Sequence, residues 1–141
     1  MKTLVVEDDF GSQKLLEKFL KPFGPVVVVD DGKVALEAFS KALNEKSPFD
    51  LICLDIMLPH VSGQEVLKKV REMEELVGIF GLKGVKIIMI TALHDPENIM
   101  EAFRYQCESY LTKPLKYHNL IEELENLNLL PQGTPKKAFP G

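Results

Sequence analysis

The stretch Leu51-Ile52-Cys53-Leu54-Asp55-Ile56-Met57-Leu58-Pro59 sets a single carboxylate at the end of an otherwise apolar run. Pro48-Phe49-Asp50 precedes the run and Pro59 to Gly63 follows it, so it predicts a strand buried on both faces. In an open parallel sheet the crevice lies beyond the carboxyl ends of the strands. An acid at that point is placed for chemistry, whereas one in mid-strand would be a costly burial. The competing reading of Asp55 is a cap or turn residue for the next loop.

Working outward, Lys2 to Val6 reads as a short strand that ends in three acids, Glu7-Asp8-Asp9. Leu15, Leu16, Phe19 and Leu20 predict a first helix with an apolar core face, stopped by Pro22 and Gly24-Pro25. Val26 to Val29 is wholly β-branched and predicts a second strand. Asp31 is placed to cap a helix whose inner side is Ala35, Ala38, Phe39 and Ala42. Beyond the Asp55 strand, Ser62-Gly63-Gln64-Glu65 has the form of a capping box. The third helix then has the inner stripe Val66, Val70, Met73 and Val77. Its mixed charges Lys68, Lys69, Arg71, Glu72, Glu74 and Glu75 are expected to face solvent. Gly78 to Gly84 is a loop whose glycine spacing fits no phosphate-binding fingerprint. Val85 to Ile90 predicts the fourth strand, ending in Thr91-Ala92. Asp95-Pro96 starts a helix buried through Ile99, Ala102 and Phe103. Glu108 to Thr112 predicts the fifth strand, closed by Lys113-Pro114, and Leu120, Leu124 and Leu127 line the last helix. From Pro131 to Gly141 the periodicity is lost, and a disordered tail is expected.

Five strands alternating with five helices imply right-handed βαβ units. The expected fold is a three-layer, doubly wound α/β domain of flavodoxin-like type over residues 1–130, with a five-stranded parallel sheet in the order 2-1-3-4-5. The chain has 141 residues and a net charge of -4, with no cluster of Lys and Arg, so a nucleic-acid footprint is not expected. Met1-Lys2 runs directly into the first strand, and no apolar segment approaches the roughly 20 residues of a membrane span. A cytoplasmic protein is expected. Two cysteines without CxxC spacing read as small buried residues. His60, His94 and His118 lack metal-ligand spacing, which disfavours zinc.

The polar residues at the strand ends converge on one edge of the predicted sheet: Glu7, Asp8 and Asp9, then Asp55, Thr91 and Lys113. Hard oxygen ligands beside a lysine and a hydroxyl suit Mg2+ and a phosphoryl group. The ordered pieces Val5-Val6-Glu7-Asp8-Asp9, Leu54-Asp55-Ile56-Met57-Leu58-Pro59 with Gly63 eight residues past the aspartate, Ile90-Thr91-Ala92 and Tyr110-Leu111-Thr112-Lys113-Pro114 resemble the receiver domain of two-component response regulators. The resemblance implies that Asp55 is the phosphoacceptor, supplied by a histidine kinase or phosphotransfer protein. It implies Mg2+ on Glu7, Asp8, Asp55 and the Met57 carbonyl, with Asp9 one place past the pair. Thr91 and Lys113 would bind phosphoryl oxygens, and Thr91 and Tyr110 would form the switch. It further implies a cis Lys113-Pro114 bond, a downstream protein target on the face of the fourth helix, fifth strand and fifth helix, and a homodimer on phosphorylation. Met57 and Leu93 would flank the attacking water and make self-dephosphorylation slow.

Gln106-Cys107 departs from the family's Gly-Ala, so that turn is expected to be either non-left-handed or mildly strained. Three other readings stand beside this one. A flavodoxin-like electron carrier lacks its hydroxyl- and glycine-rich loop here. An aspartyl-phosphate hydrolase would carry a second aspartate where Met57 stands. A degenerate receiver acting only as a binding module would have lost one of the acids or Lys113, and none is lost.

Overall fold

Five strands and five α-helices alternate along the chain in the computed structural model, which describes residues 1–137. The strands are β1 (Thr3–Val6), β2 (Val26–Val29), β3 (Leu51–Leu54), β4 (Lys86–Thr91) and β5 (Ser109–Thr112). The helices are α1 (Phe10–Leu20), α2 (Gly32–Asn44), α3 (Gly63–Leu76), α4 (Pro96–Arg104) and α5 (Tyr117–Asn126). All strand pairs are parallel and the order is β2-β1-β3-β4-β5, the expected flavodoxin-like topology. Among the described residues no helix is long and apolar enough to cross a membrane.

Period-two alternation sends the central strands' side chains into two separate cores. Leu4, Val6, Ile52, Leu54, Ile87 and Met89 meet α2, α3 and α4 on one face. Val5, Leu51, Cys53, Ile88 and Ile90 meet α1 and α5 on the other. Burial on both faces is why these strands read as continuous apolar runs. It also leaves polar residues only at the strand ends.

The helix caps follow the sequence. Asp9, Asp31, Ser62 and Asp95 each accept a backbone N–H from the first turn of the helix they precede. Asp9 is thereby the N-cap of α1. Three apolar positions differ from expectation. Leu15 is partly exposed over a cleft, Val77 lies past the end of α3 in solvent, and Phe103 is nearly half exposed because α4 buries only Ala102 fully. Leu67 and Ile121 are buried in addition to the expected stripes.

The largest difference is on α3, where Arg71 and Glu74 are buried instead of solvated. Arg71 Nη1 donates to Glu74 Oε1 at 2.8 Å and to the Val85 carbonyl at 2.9 Å. Its Nη2 reaches Glu108 Oε1 at 2.8 Å, and both Nε and Nη2 donate to the Gln106 carbonyl, at 3.1 and 2.7 Å. Glu74 Oε2 accepts from Val85 N and Glu108 Oε1 from Ile87 N. A Cβ at Gly84 would come within 2.7 Å of Glu74 Oε1, so a larger residue there would press on this pair. The network closes the edge of the sheet where the strands begin.

Gln106 does adopt the left-handed conformation, with φ 74°. Gln106 N bonds the Phe103 carbonyl and Cys107 N the Ala102 carbonyl, the bonding of a Schellman end in which glycine is usual. The Arg71 fork on the Gln106 carbonyl holds the strained residue in place. At the C-terminus, Gly133 N donates to Glu125 Oε2 at 2.6 Å and Lys136 pairs with Glu125 Oε1. The end of the expected tail, residues 138–141, lies outside the described residues.

Candidate functional site

The strands place their terminal polar residues at one edge. Glu7 follows β1 and is 1% exposed, Asp55 follows β3 and is 5% exposed, and Thr91 ends β4 with no exposure. Lys113 follows β5, and its peptide bond to Pro114 is cis. Lys113 Nζ lies 2.8 Å from Glu7 Oε1 and 2.9 Å from Asp55 Oδ2, so one ammonium bridges two carboxylates. Met57 N donates to Asp55 Oδ1 at 3.2 Å, and Asp9 N to Glu7 Oε1 at 3.1 Å. Asp8 is exposed, yet one carboxylate oxygen each from Glu7, Asp8 and Asp55 lies within 4.8 Å of the others. Three hard oxygen donors so close, one reachable from solvent, suit a small divalent cation such as Mg2+.

The site is anchored from below by Gly63. Its N–H donates to the Ile56 carbonyl at 2.8 Å, and a Cβ at this position would sit 2.0 Å from the Asp55 carbonyl oxygen. Only glycine lets α3 start so close to Asp55. A shallow hollow lined by Asp8, Met57, Leu58 and Ser62 opens the site to solvent. A deeper cleft of about 420 Å³ runs beside it between Ser12, Leu15, Lys113 and Leu115.

The two buried acids differ in proton affinity. Burial pushes Glu7 up to about 7, with a further upward push from Asp55 and a partial offset from Lys113. Burial acts against ionisation of Asp55 as well, but bonds from Lys113, Glu7, Thr91 and the Met57 N–H hold it below its ordinary range. Burial works against charge on Lys113 too, but its two carboxylates outweigh that and raise its pKa. The pattern is a proton-sharing acid pair in which Asp55 is the ionised member. An anionic Asp55 carboxylate is a nucleophile in a pocket that already holds a cation for an incoming anion.

Tyr110 is already held near the expected switch. Its hydroxyl donates to the Leu93 carbonyl at 2.6 Å, and its ring packs against the core under α4. Two further contacts were not visible in the sequence. Gln64, in the first turn of α3, is buried and donates to the Asn98 carbonyl at 2.8 Å, tying α3 to the start of α4. His60, at φ 66°, bonds the Asp31 carboxylate through Nδ1 and ties the loop after Asp55 to α2. Neither contact is part of a motif, since each depends on a partner about 30 residues away in sequence.

Residues 3–125 match the family model described as the response regulator receiver domain. The chain therefore belongs to the receiver domains of two-component response regulators, which are signalling domains. It is 34% identical over 130 residues to the transcriptional regulatory protein CiaR of Streptococcus pneumoniae, covering 90% of this chain and 51% of that protein. It is 31% identical over 127 residues to the probable transcriptional regulatory protein SilR of Salmonella typhimurium, covering 90% and 50%. The chain thus spans about half the length of these curated relatives. Among solved structures it matches the receiver domain of the histidine kinase CKI1 from Arabidopsis thaliana complexed with Mg2+ and BeF3-. That match has a TM-score of 0.72 and 30% identity, and it covers 89% of each chain.

Proposed function

We propose that Asp55 is the phosphoacceptor of a two-component phosphorelay and that Mg2+ assists the transfer. The observation that carries this reading is the buried Glu7–Lys113–Asp55 cluster, in which Asp55 is held ionised while Asp8 stays open to solvent. In the transfer, an Asp55 carboxylate oxygen forms a bond to phosphorus as the bond from phosphorus to an imidazole nitrogen of the donor breaks. The donor is a histidine kinase or phosphotransfer protein. Mg2+ held by Glu7, Asp8, Asp55 and the Met57 carbonyl would neutralise the crowded acids and the phosphoryl charge. Lys113 turns from the carboxylates to a phosphoryl oxygen, and the Thr91 hydroxyl donates to another.

Thr91, Leu93 and Tyr110 link this event to the face of α4, β5 and α5, which is the reading's output surface toward a downstream protein or a phosphorylation-dependent homodimer. Met57 and Leu93 flank the site with apolar side chains that cannot hold an attacking water, so the acyl phosphate is long-lived. Residues 1–130 act as the receiver unit and 131–141 as its tail, in the cytoplasm, with no DNA contact from this chain alone.

The test is intact-mass measurement after treatment with acetyl phosphate. One phosphoryl group is expected on the wild type with Mg2+, with little uptake after chelation and none on Asp55→Asn. Equal uptake by Asp55→Asn would remove the assignment.

A further inference from the structure

Of the three clustered acids, Asp8 alone has no side-chain partner to aim it. Glu7 and Asp55 share Lys113, at 2.8 and 2.9 Å. Asp8 is exposed, and among the described residues its carboxylate joins no hydrogen bond or ion pair. One oxygen each of Glu7, Asp8 and Asp55 lies within 4.8 Å of the others, so like charge pushes Asp8 outward before a cation arrives. Its direction is therefore set by the backbone.

The peptide groups on either side of Asp8 are both pinned. On one side, Gln13 Nε2 donates to the Glu7 carbonyl at 2.6 Å. On the other, Asp9 N donates to Glu7 Oε1 at 3.1 Å. Among the described residues no backbone N–H reaches the Glu7 carbonyl, so the Gln13 amide supplies what regular structure does not. Gln13 is itself held early in α1, where its N–H bonds the Asp9 carbonyl at 2.9 Å and the Asp9 carboxylate caps Ser12 N at 2.8 Å. A side chain rooted in a capped helix is a firm support for the turn that carries two of the acids.

We propose that Gln13 is a positioning residue of the Mg2+ site, holding the Glu7–Asp8 peptide so that the Asp8 carboxylate stays beside Glu7 and Asp55 before the cation arrives. It acts through the backbone and is not a ligand. The inference rests on the metal-site reading above and adds a residue outside the acidic set. A turn ordered at folding need not be ordered again on binding. Mg2+ gains most from this, because it demands near-ideal octahedral geometry, whereas Ca2+ accepts displaced oxygens.

Gln13→Met tests it, since methionine keeps the length of the side chain, removes the donor, adds no charge and is a good helix former. Both chains would be titrated calorimetrically with Mg2+ and, separately, with Ca2+ at pH 8, where Glu7 is mostly ionised. Mg2+ affinity should fall roughly three- to tenfold, the worth of one hydrogen bond. Ca2+ affinity should change by less than about twofold. The circular dichroism spectrum should not change, and Gln13→Ala should behave alike. With acetyl phosphate, the Mg2+ concentration giving half the maximal initial rate should rise by the same roughly three- to tenfold factor, while the rate at saturating Mg2+ stays within about twofold of wild type. Parallel losses for Mg2+ and Ca2+, as a loosened fold would give, overturn the proposal. So does a rate deficit that saturating Mg2+ does not repair. A wild type that binds no Mg2+ removes the metal-site reading together with this inference, whereas equal Mg2+ affinities in two binding chains remove the role of Gln13 alone.

Discussion

The two ends of the sheet each bury a cation among carboxylates, and they do opposite things with it. At the end where the strands begin, all three nitrogens of Arg71 are spent on Glu74, Glu108 and the carbonyls of Val85 and Gln106. Glu74 Oε2 accepts from the Val85 N–H and Glu108 Oε1 from the Ile87 N–H, so each carboxylate also takes up a backbone donor. Such a cluster is closed, with no unmet donor to recruit a ligand. At the end where the strands finish, Lys113 is shared between Glu7 and Asp55, Asp8 points into solvent, and Glu7 has its pKa raised to about 7. That cluster is open, since its excess of negative charge is met only by a proton or by an incoming cation. Burial of charge therefore marks structure at one edge and chemistry at the other. The difference lies in whether the hydrogen bonding is complete.

The contrast breaks most sharply on removal of each cation. Arg71→Met leaves the buried Glu74 and the partly buried Glu108 without their partner and should cost about 3–5 kcal/mol in urea unfolding. Lys113→Met should cost much less near pH 6, because Glu7 can take up a proton. A loss from Lys113→Met equal to that from Arg71→Met would abolish the distinction between open and closed clusters.

A smaller effect concerns pH at the open end. An acid whose folded pKa is raised gains a proton as the pH falls through that value, and the proton must leave before a cation binds. Burial holds Glu7 near 7, so Mg2+ affinity should be level above that pH and fall about tenfold per unit well below it. Isothermal titration calorimetry between pH 5.5 and 8.5 reads this directly. A flat profile across that range would mean that Glu7 is not a ligand.

The smallest effect belongs to the closed end. Gln106→Gly relieves the left-handed residue that the Arg71 fork holds, at some cost in unfolded-chain entropy, and should stabilise the protein by about 0.5–1 kcal/mol. In the Arg71→Met background the gain should be at least as large. A loss of stability in both would show that the Gln106 side chain contributes more than its backbone strain costs.

The open end was readable in the sequence because its residues sit at the ends of apolar strands, where burial on both faces leaves few other positions for charge. Glu7, Asp55, Thr91 and Lys113 meet as the strand order requires, and Asp9 caps α1 one place beyond the acidic pair. The closed end was not readable. Arg71 and Glu74 lie among Lys69, Glu72 and Glu75, where mixed charge at helical spacing reads as a solvated face. What buries them is Glu108 and the carbonyl of Gln106, more than 30 residues away, brought close by the β4–β5 pairing. Gln64 escaped notice for the same reason, its partner being the backbone of Asn98 on α4. Leu15 kept helical spacing but lies on the cleft beside Lys113 and Leu115, so its apolar character does not place it in the core.

The claim that chemistry resides at one end alone is tested most directly by amide chemical shifts. Spectra of the 15N-labelled chain would be recorded free, with saturating Mg2+, and with Mg2+ plus acetyl phosphate. Mg2+ should move Asp8, Asp9 and Met57, and acetyl phosphate should extend the changes to Thr91, Leu93, Tyr110 and Lys113, with Arg71, Glu74, Val85 and Glu108 unmoved. Shifts centred on the Arg71 cluster, or none near Asp55 after acetyl phosphate, would contradict the account.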